Sequence, residues 1–484
     1  MNSEDILKVY EEGPEAVVEL VQSLFAIIAR LEERIKKLED QVHKNSRNSS
    51  KPPSTDGFKK PQPKSLREKG KHPVGGQKGH PGRTLSMTEL PDHIIPHRVL
   101  ACSCGHELEE IEVLRRERRQ VWDIPPQTME VMEHQIEVKM CPACGCLNKA
   151  EFPSNVTAPV QYGTGVKSLM SYLSQFQLLP YDRIRLFFHD LFKQDISQAT
   201  FIQANEVLFE QLEEVETDLA KRIRTSPIAH FDETGVRVEG KLHWLHVAST
   251  SECTHYSVQK KRGQEGMTAA NILPKFSGIA VHDAWGPYWK YPCLHALCNA
   301  HLLRELTFIF EQERQVWADT MSKLLLEIKK SVWAKIDSTD GLEVMEVRTF
   351  VQRYNKILEL GLAEDSRLNP PQPQTVKKRG RIKQSKAKNL LDRLAVHQKE
   401  ILAFMNDSRV PFDNNLAERD VRMMKVQQKI SGTFRSKQGA ATFCRIRGFI
   451  STLKKHSLSV MEGIRAAFEC DPILPPFCSW VKLS

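Results

Sequence analysis

After Pro227 the apolar residues stop recurring at helical spacing and gather in short runs, and this change of period constrains the fold more than any other feature. The runs are IAHFDETG, LHWLHVAST and THYSVQKK, followed by a helical QEGMTAANIL and then IAVHDAWG. Read in order, they are three strands, a helix and a fourth strand, which predicts a mixed sheet flanked by helices. Asp232 is expected at the end of the first strand and Asp283 at the end of the fourth. If those strands are parallel neighbours, the two carboxylates meet.

Carboxylates at strand ends suit hard divalent ions, because Mg²⁺ prefers oxygen ligands and keeps positions open for water and phosphate oxygens. Two such ions roughly 3.5–4 Å apart serve an in-line displacement at phosphorus. Two aspartates supply too few oxygens for that, so a third carboxylate is needed. VPFDNNLAERDVRMMKVQQKISG offers Glu418 in the first turn of a helix, with Asn414 or Asn415 as N-cap and with Arg422 and Lys425 on the same face. The plainer alternative makes Asp232 and Asp283 turn residues and pairs Glu418 with Arg422 on an exposed helix. Nearby, Cys298-x-x-His301 in CNAHLLRELTFIF has metal-ligand spacing but no second pair, so packing or DNA positioning is the favoured role, with metal binding as the other.

Upstream, Val17, Val21, Leu24, Ile28, Leu31, Ile35, Leu38 and Val42 alternate at spacings of four and three, a coiled-coil seam that asks for a partner, most simply a second copy of the chain. A helix packed on its own domain is the alternative. From His43 to Arg83 there are eleven Lys or Arg against two acids and almost nothing apolar, a tract that either tracks DNA phosphates or serves as a linker. Cys102-x-Cys104 and Cys141-x-x-Cys144 follow, separated by segments such as MEVMEHQIEVKM that read as strands. Two thiolate pairs can meet at one structural Zn²⁺, although the one-residue gap narrows the first pair, and His106 or Cys146 could substitute. Gly163 to Arg224 is helical in period, with a Pro180 break and a capping region at Asp195 to Ser197; three such helices suit a helix-turn-helix region or an ordinary connector.

With 484 residues, roughly three domains are expected; net charge is +9, and the eleven cysteines read as thiols or metal ligands. No stretch has the run of about 18 apolar residues a membrane helix needs, and MNSEDILKVYEEG lacks the layout of a signal peptide, so a cytoplasmic location is expected. Late in the chain, PPQPQTVKKRGRIKQSKAK is basic and Pro-broken, and Arg435, Lys437, Arg445 and Arg447 follow the Glu418 helix as candidate DNA contacts or solvated helix face.

HFDETG, the HDAW aspartate, CNAHLLREL, VPFDNNLAERDVRMMKVQQKISGTFRSKQGA and KNSRNSSKPPSTDG together resemble the DDE transposases of the insertion sequence 66 family, over nearly the whole chain. The strand order likewise resembles the start of an RNase H-like fold. The resemblance implies that Asp232, Asp283 and Glu418 are a metal-binding triad for two Mg²⁺ or Mn²⁺ ions. It also implies double-stranded DNA partners (terminal repeats and target), accessory proteins of the same element and a nucleoid-associated location. The shortened first cysteine pair departs from the family pattern and bears on the zinc. The expected architecture is a multidomain α+β chain. It comprises a coiled coil (1–43), a basic linker (44–83), a zinc-ribbon-like cysteine domain (84–160) and a helical DNA-binding region (161–225). The RNase H-like core opens at 226–310 and closes at 409–468, interrupted by a helical insertion at 311–408 with a basic loop at 368–388, and a tail (469–484) follows. A non-catalytic DNA-binding derivative and a metal-dependent nuclease without strand transfer are the competing functions.

Overall fold

The computed structural model describes residues 3–45, 48–49, 85–335, 342–370, 384–470 and 472. Most of the basic tract at 44–83, most of the basic loop at 368–388 and nearly all of the tail at 469–484 lie outside the described residues. The chain divides into two compact units. The larger takes in Met1–Gln62, Pro153–Phe187 and Asp195–Ser484, the smaller Pro63–Phe152 and Phe188–Gln194. No helix among the described residues is long and apolar enough to cross a membrane.

The larger unit opens with α1 (Ser3–Glu11) and α2 (Pro14–Val42), the latter started by a proline whose fixed φ suits the first helical position. The predicted stripe lies along α2 with its apolar side chains open to solvent, Leu31 at 51% and Ile35 at 54% exposure.

In the smaller unit the only ladder among the described residues is an antiparallel pair, β1 (Val138–Met140) with β2 (Leu147–Lys149). Of MEVMEHQIEVKM, read as strand, just the last three residues form one. Neither alternating face of that segment is covered, with Val131 at 90% and Met132 at 76% exposure, so no packing holds it in a sheet.

Back in the larger unit, α3 (Thr164–Ser171) runs into a π-helical turn at Tyr172–Phe176. After α4 (Tyr181–Phe192), Ser197 caps the next helix as expected, its hydroxyl accepting the Thr200 N–H. The stretch read as one long helix breaks at Leu212 into α5 (Gln198–Gln211) and α6 (Glu213–Thr225).

The period change at Pro227 marks the start of the sheet. Its strands are β3 (Ile228–Val238), β4 (Lys241–Ser249) and β5 (Thr254–Gln259), then, after the short α7 (Gln264–Ala269), β6 (Ile279–His282) and β7 (Leu294–Leu297). The spatial order is β5-β4-β3-β6-β7, antiparallel among the first three and parallel from β3 through β6 to β7. β7 was not read from the sequence, because four residues of LHAL are too short to show a period.

Helices α8 (Asn299–Glu313), α9 (Val316–Ala334), α10 (Val344–Leu368) and α11 (Lys386–Val396), with the single turns α12 (Gln398–Ile401) and α13 (Ala403–Asn406), follow the sheet. Leu306, Trp317, Met321, Tyr354 and Leu391 centre their shared core, which Val281 and Leu297 join to the end of the sheet. The chain then returns as α14 (Asn415–Ser431), α15 (Lys437–Lys455) and α16 (Val460–Phe468).

Alternation along β3 decides what each of its side chains meets. Ala229 and Phe231 pack with α6 and the second half of α15, whereas Val236 and Val238 pack with Ala417, Val421 and Met424 of α14. Even-numbered β3 residues therefore face α14. Further along, α15 crosses β5 so closely that a Cβ on Gly448 would stand 3.0 Å from the Thr254 carbonyl, which is why a residue without a side chain fits there.

Candidate active site

Asp232 belongs to the even-numbered face of β3 and so looks toward α14. It does not sit at a strand end as expected. β3 continues six residues further because its second half pairs with β4 as far as Val238↔Lys241. The parallel neighbour β6 does stop here, and Asp283 is the residue that follows it. The β3–β6 register pairs His230 with Val281, so the same register carried two residues on sets Asp232 opposite Asp283. The side chain of Asp283 accepts the Trp285 N–H at 3.0 Å, and that of Asp232 accepts the Glu233 N–H at 2.8 Å.

Glu418 stands in the first turn of α14 with its side chain 14% exposed. Its partners come from α8: His301 Nδ1 lies 3.7 Å and Cys298 Sγ 4.0 Å from Oε1, and Arg304 lies 3.8 Å from Oε2. Cys298, His301 and Glu418 are the only three such donors within 4.8 Å of one another among the described residues. Glu418 thus makes its contacts on the α8 side, and the three carboxylates do not lie within 4.8 Å of one another.

Charge and burial set the state of Asp232. Burial raises its carboxyl first, the neighbouring Glu233 next, and Asp283 and Glu418 add to the repulsion, moving it from 3.8 to about 8. Glu233, on the opposite face of β3, is also raised by burial, but it has partners: Arg262 at 2.8 and 2.9 Å and the Tyr288 hydroxyl at 2.6 Å. Arg262 is held over the Trp244 and Trp285 rings at 5.0 and 4.0 Å. On that face His282 stacks on Tyr288 and bonds His295, and burial depresses its pKa to about 3, so it is neutral.

Two anchors aim α14. Asn414, expected as a helix cap, occupies the cap position but makes no cap bond. Its side chain instead bonds His230 Nδ1 and donates to the Phe231 carbonyl, both at 2.8 Å, while its own N–H donates to Cys298 Sγ at 3.1 Å. One buried amide thereby ties the start of α14 to the strand bearing Asp232 and to the start of α8. Asp420, two residues after Glu418, accepts from Ser249 at 2.6 Å and Thr254 at 3.2 Å and pairs with Lys455 at 3.2 Å.

The basic candidates divide by environment. Arg422, Arg435 and Lys437 are exposed. Lys425 reaches the Gly235 carbonyl at 3.0 Å. Arg445 pairs with Glu216 at 2.6 Å, donates to the Phe209 carbonyl and lies over the Phe209 ring, fastening α15 to α5 and α6. Arg447 donates to the Gln175 and Phe176 carbonyls.

In the smaller unit the two cysteine pairs sit in matching turns. The Cys102 N–H donates to the His106 carbonyl and the Cys141 N–H to the Cys146 carbonyl, both at 2.8 Å. Gly105 and Gly145, each directly after the second cysteine of its pair, take φ of +89° and +71°, which favour glycine. His106 and Cys146 therefore close the turns through their backbones. Hydrogen bonding within each turn lowers the Cys102 and Cys144 thiols, as suits thiolate ligands. Four thiols are the donor chemistry of a zinc ion, but no three of them lie within 4.8 Å of one another.

The mixed sheet thus sets Asp232 beside Asp283 on neighbouring parallel strands, with Glu418 on the helix packed over β3, all three partly exposed. The family profile described as Transposase IS66 family matches residues 159–442, more than half of the sequence, and the chain belongs to that family. A second profile, the zinc-finger binding domain of transposase IS66, matches 100–145 and spans all four cysteines of the two pairs. A family of unknown function matches 5–86. No curated protein matches the chain.

Proposed function

We propose that the chain is a DDE transposase with an RNase H-like core, in which Asp232, Asp283 and Glu418 hold two divalent cations, Mg²⁺ or Mn²⁺. The observation that carries this reading is Asp232 set opposite Asp283 by the β3–β6 register, with Glu418 on the helix packed over β3, in a chain of the IS66 transposase family. A mutually repelling carboxylate set costs stability unless a cation compensates it, which is the mark of a site kept for function. When bound, the cations supply charge stabilisation and an activated oxygen nucleophile. The chain's own groups do the positioning: Asn414 and Asp420 orient Glu418, and Arg422, Lys425, Arg435 and Lys437 suit the flanking phosphates. Arg445, tied to Glu216, suits holding α15 in place. The reaction is hydrolysis of a phosphodiester at the element end, followed by attack of the freed 3′-hydroxyl on target DNA. Pairing of α2 stripes between copies would bring two element ends together.

Incubating the full chain and Mg²⁺ with labelled element ends and a target duplex tests the reading. Joined products support it. Cleavage without joining would make the protein a nuclease, and retained DNA binding without cleavage a non-catalytic derivative.

For the smaller unit we infer that Cys102, Cys104, Cys141 and Cys144 share one zinc ion. With so many of its apolar side chains exposed, this unit should depend on metal for its order. Chelation is expected to strip amide protection from the Cys102 and Cys141 turns in hydrogen exchange while leaving the β3–β4 ladder protected. Turns that stay protected after complete zinc removal would contradict this.

A further inference from the structure

We propose that Cys298, His301 and Glu418 form a second metal site in the larger unit, selective for a borderline-soft divalent ion such as Zn²⁺ and leaving one coordination position open. The sequence supplied only the C-x-x-H pair. The fold supplies the missing donor from α14.

The distances are those of a site one small adjustment from closure. The three donor atoms lie within 4.8 Å of one another, with Glu418 Oε1 at 3.7 Å from His301 Nδ1 and 4.0 Å from Cys298 Sγ. Ligand atoms bound tetrahedrally at about 2.0–2.3 Å stand about 3.3–3.8 Å apart, so a shift of less than about 1 Å brings them to an ion. His301 Nδ1 is buried and finds no hydrogen-bond partner among the described residues, although it points at Glu418. An imidazole nitrogen in that state is either an uncompensated cost or a ligand. Cys298 is buried, with its thiol beside the Glu418 carboxylate. A cation between the three would remove that cost and release the thiol proton on binding. The surrounding groups are arranged as metal sites require: the Asn414 N–H already donates to Cys298 Sγ at 3.1 Å, and Arg304 faces Oε2, which leaves Oε1 to the site.

The donor chemistry separates this site from the one proposed for catalysis. Thiolate, imidazole and carboxylate favour Zn²⁺ or Co²⁺, whereas a carboxylate set favours Mg²⁺ or Mn²⁺. Glu418 belongs to both. If the proposed function holds, the soft ion and the catalytic pair compete for the same carboxylate, and zinc at this site draws Glu418 away from Asp232 and Asp283.

Cobalt titration of the full chain tests the site directly, since Co²⁺ replaces Zn²⁺ and reports thiolate ligation by absorption. The cysteine pairs of the smaller unit bind in every sample, so the comparison is of stoichiometry. The wild-type chain is expected to bind one more equivalent of Co²⁺ than Cys298→Ser, with a correspondingly stronger sulfur-to-cobalt band. His301→Ala, which deletes only the unpartnered ring, should lose the same equivalent and serves if Cys298→Ser fails to fold. Equal stoichiometry in all three chains overturns the proposal. The readout is bound cobalt, so loss of DNA cutting or joining in the transposition assay leaves it unaltered, and the two readings fail separately.

Discussion

Asp232→Asn is expected to abolish DNA cleavage and joining while raising the melting temperature of the metal-free protein. Removing a ligand oxygen at the reacting centre should cost about 4 kcal/mol of transition-state stabilisation, on the order of 10³-fold in rate. The stability change runs the other way. Asp232 titrates near 8 in the folded chain and near 3.8 when its surroundings are lost. Between those values the folded state binds more protons than the unfolded one, so stability falls as pH rises from about 4 to about 8. Asparagine carries no charge and escapes that fall. With divalent ions chelated, the variant should melt level with the wild type near pH 4 and progressively above it toward pH 8. Added Mg²⁺ should stabilise the wild type and leave the variant nearly unmoved. An Asp232→Asn chain that joins DNA at the normal rate, or melts below the wild type at pH 8 without metal, would remove Asp232 from the site.

Lys455→Met is expected to cost about 3–5 kcal/mol of folding free energy, the usual effect of taking one partner from a buried pair. The Lys455 ammonium is 11% exposed and touches Asp420 at 3.2 Å, the Ser249 hydroxyl and Thr250 carbonyl at 2.7 Å and the Cys253 carbonyl at 2.9 Å. Burial lowers its pKa, and Asp420 opposes that shift. Methionine fills similar volume but leaves Asp420 without its counter-ion. Because Asp420 lies two residues beyond Glu418, DNA cleavage should fall along with stability. Asp420→Asn combined with Lys455→Met should recover part of the loss, since the orphaned charge is then gone. Denaturant unfolding measures all three chains. A loss under about 1 kcal/mol for Lys455→Met would mean that the pair does not hold α14.

What could be read in advance follows from how far each signal reaches. The strand order was legible because apolar residues gather in short runs along IAHFDETG and IAVHDAWG. The length of β3 was not, since its continuation depends on pairing with β4. Residue pattern offered Glu418 only as a candidate and resemblance singled it out, while its partners Cys298, His301 and Arg304 are set by a segment more than a hundred residues earlier in the chain. Asp420 and Lys455 each look like an ordinary surface charge; nothing local links them. Asn414 carried a misleading signal, because an asparagine before a helix usually caps it, and here tertiary contacts with His230 and Phe231 won. Glu233 stood beside Asp232 unread, as no spacing rule separates a carboxylate bound to Arg262 and Tyr288 from one left unpaired. In the cysteine turns, the repeated Cys-Gly at Cys104-Gly105 and Cys144-Gly145 was visible and marks the left-handed residue that closes each loop.

The dependence of α14 on Lys455 also sets a clock. Asp232 and Asp283 leave the ribosome together with the sheet that holds them, but Glu418 is made more than a hundred residues later, and the residue that secures its helix later still. A chain cut before Lys455 has the sheet and α14 but leaves Asp420 without its counter-ion. The helix is made before the residue that fastens it, so its final position waits on chain that follows it.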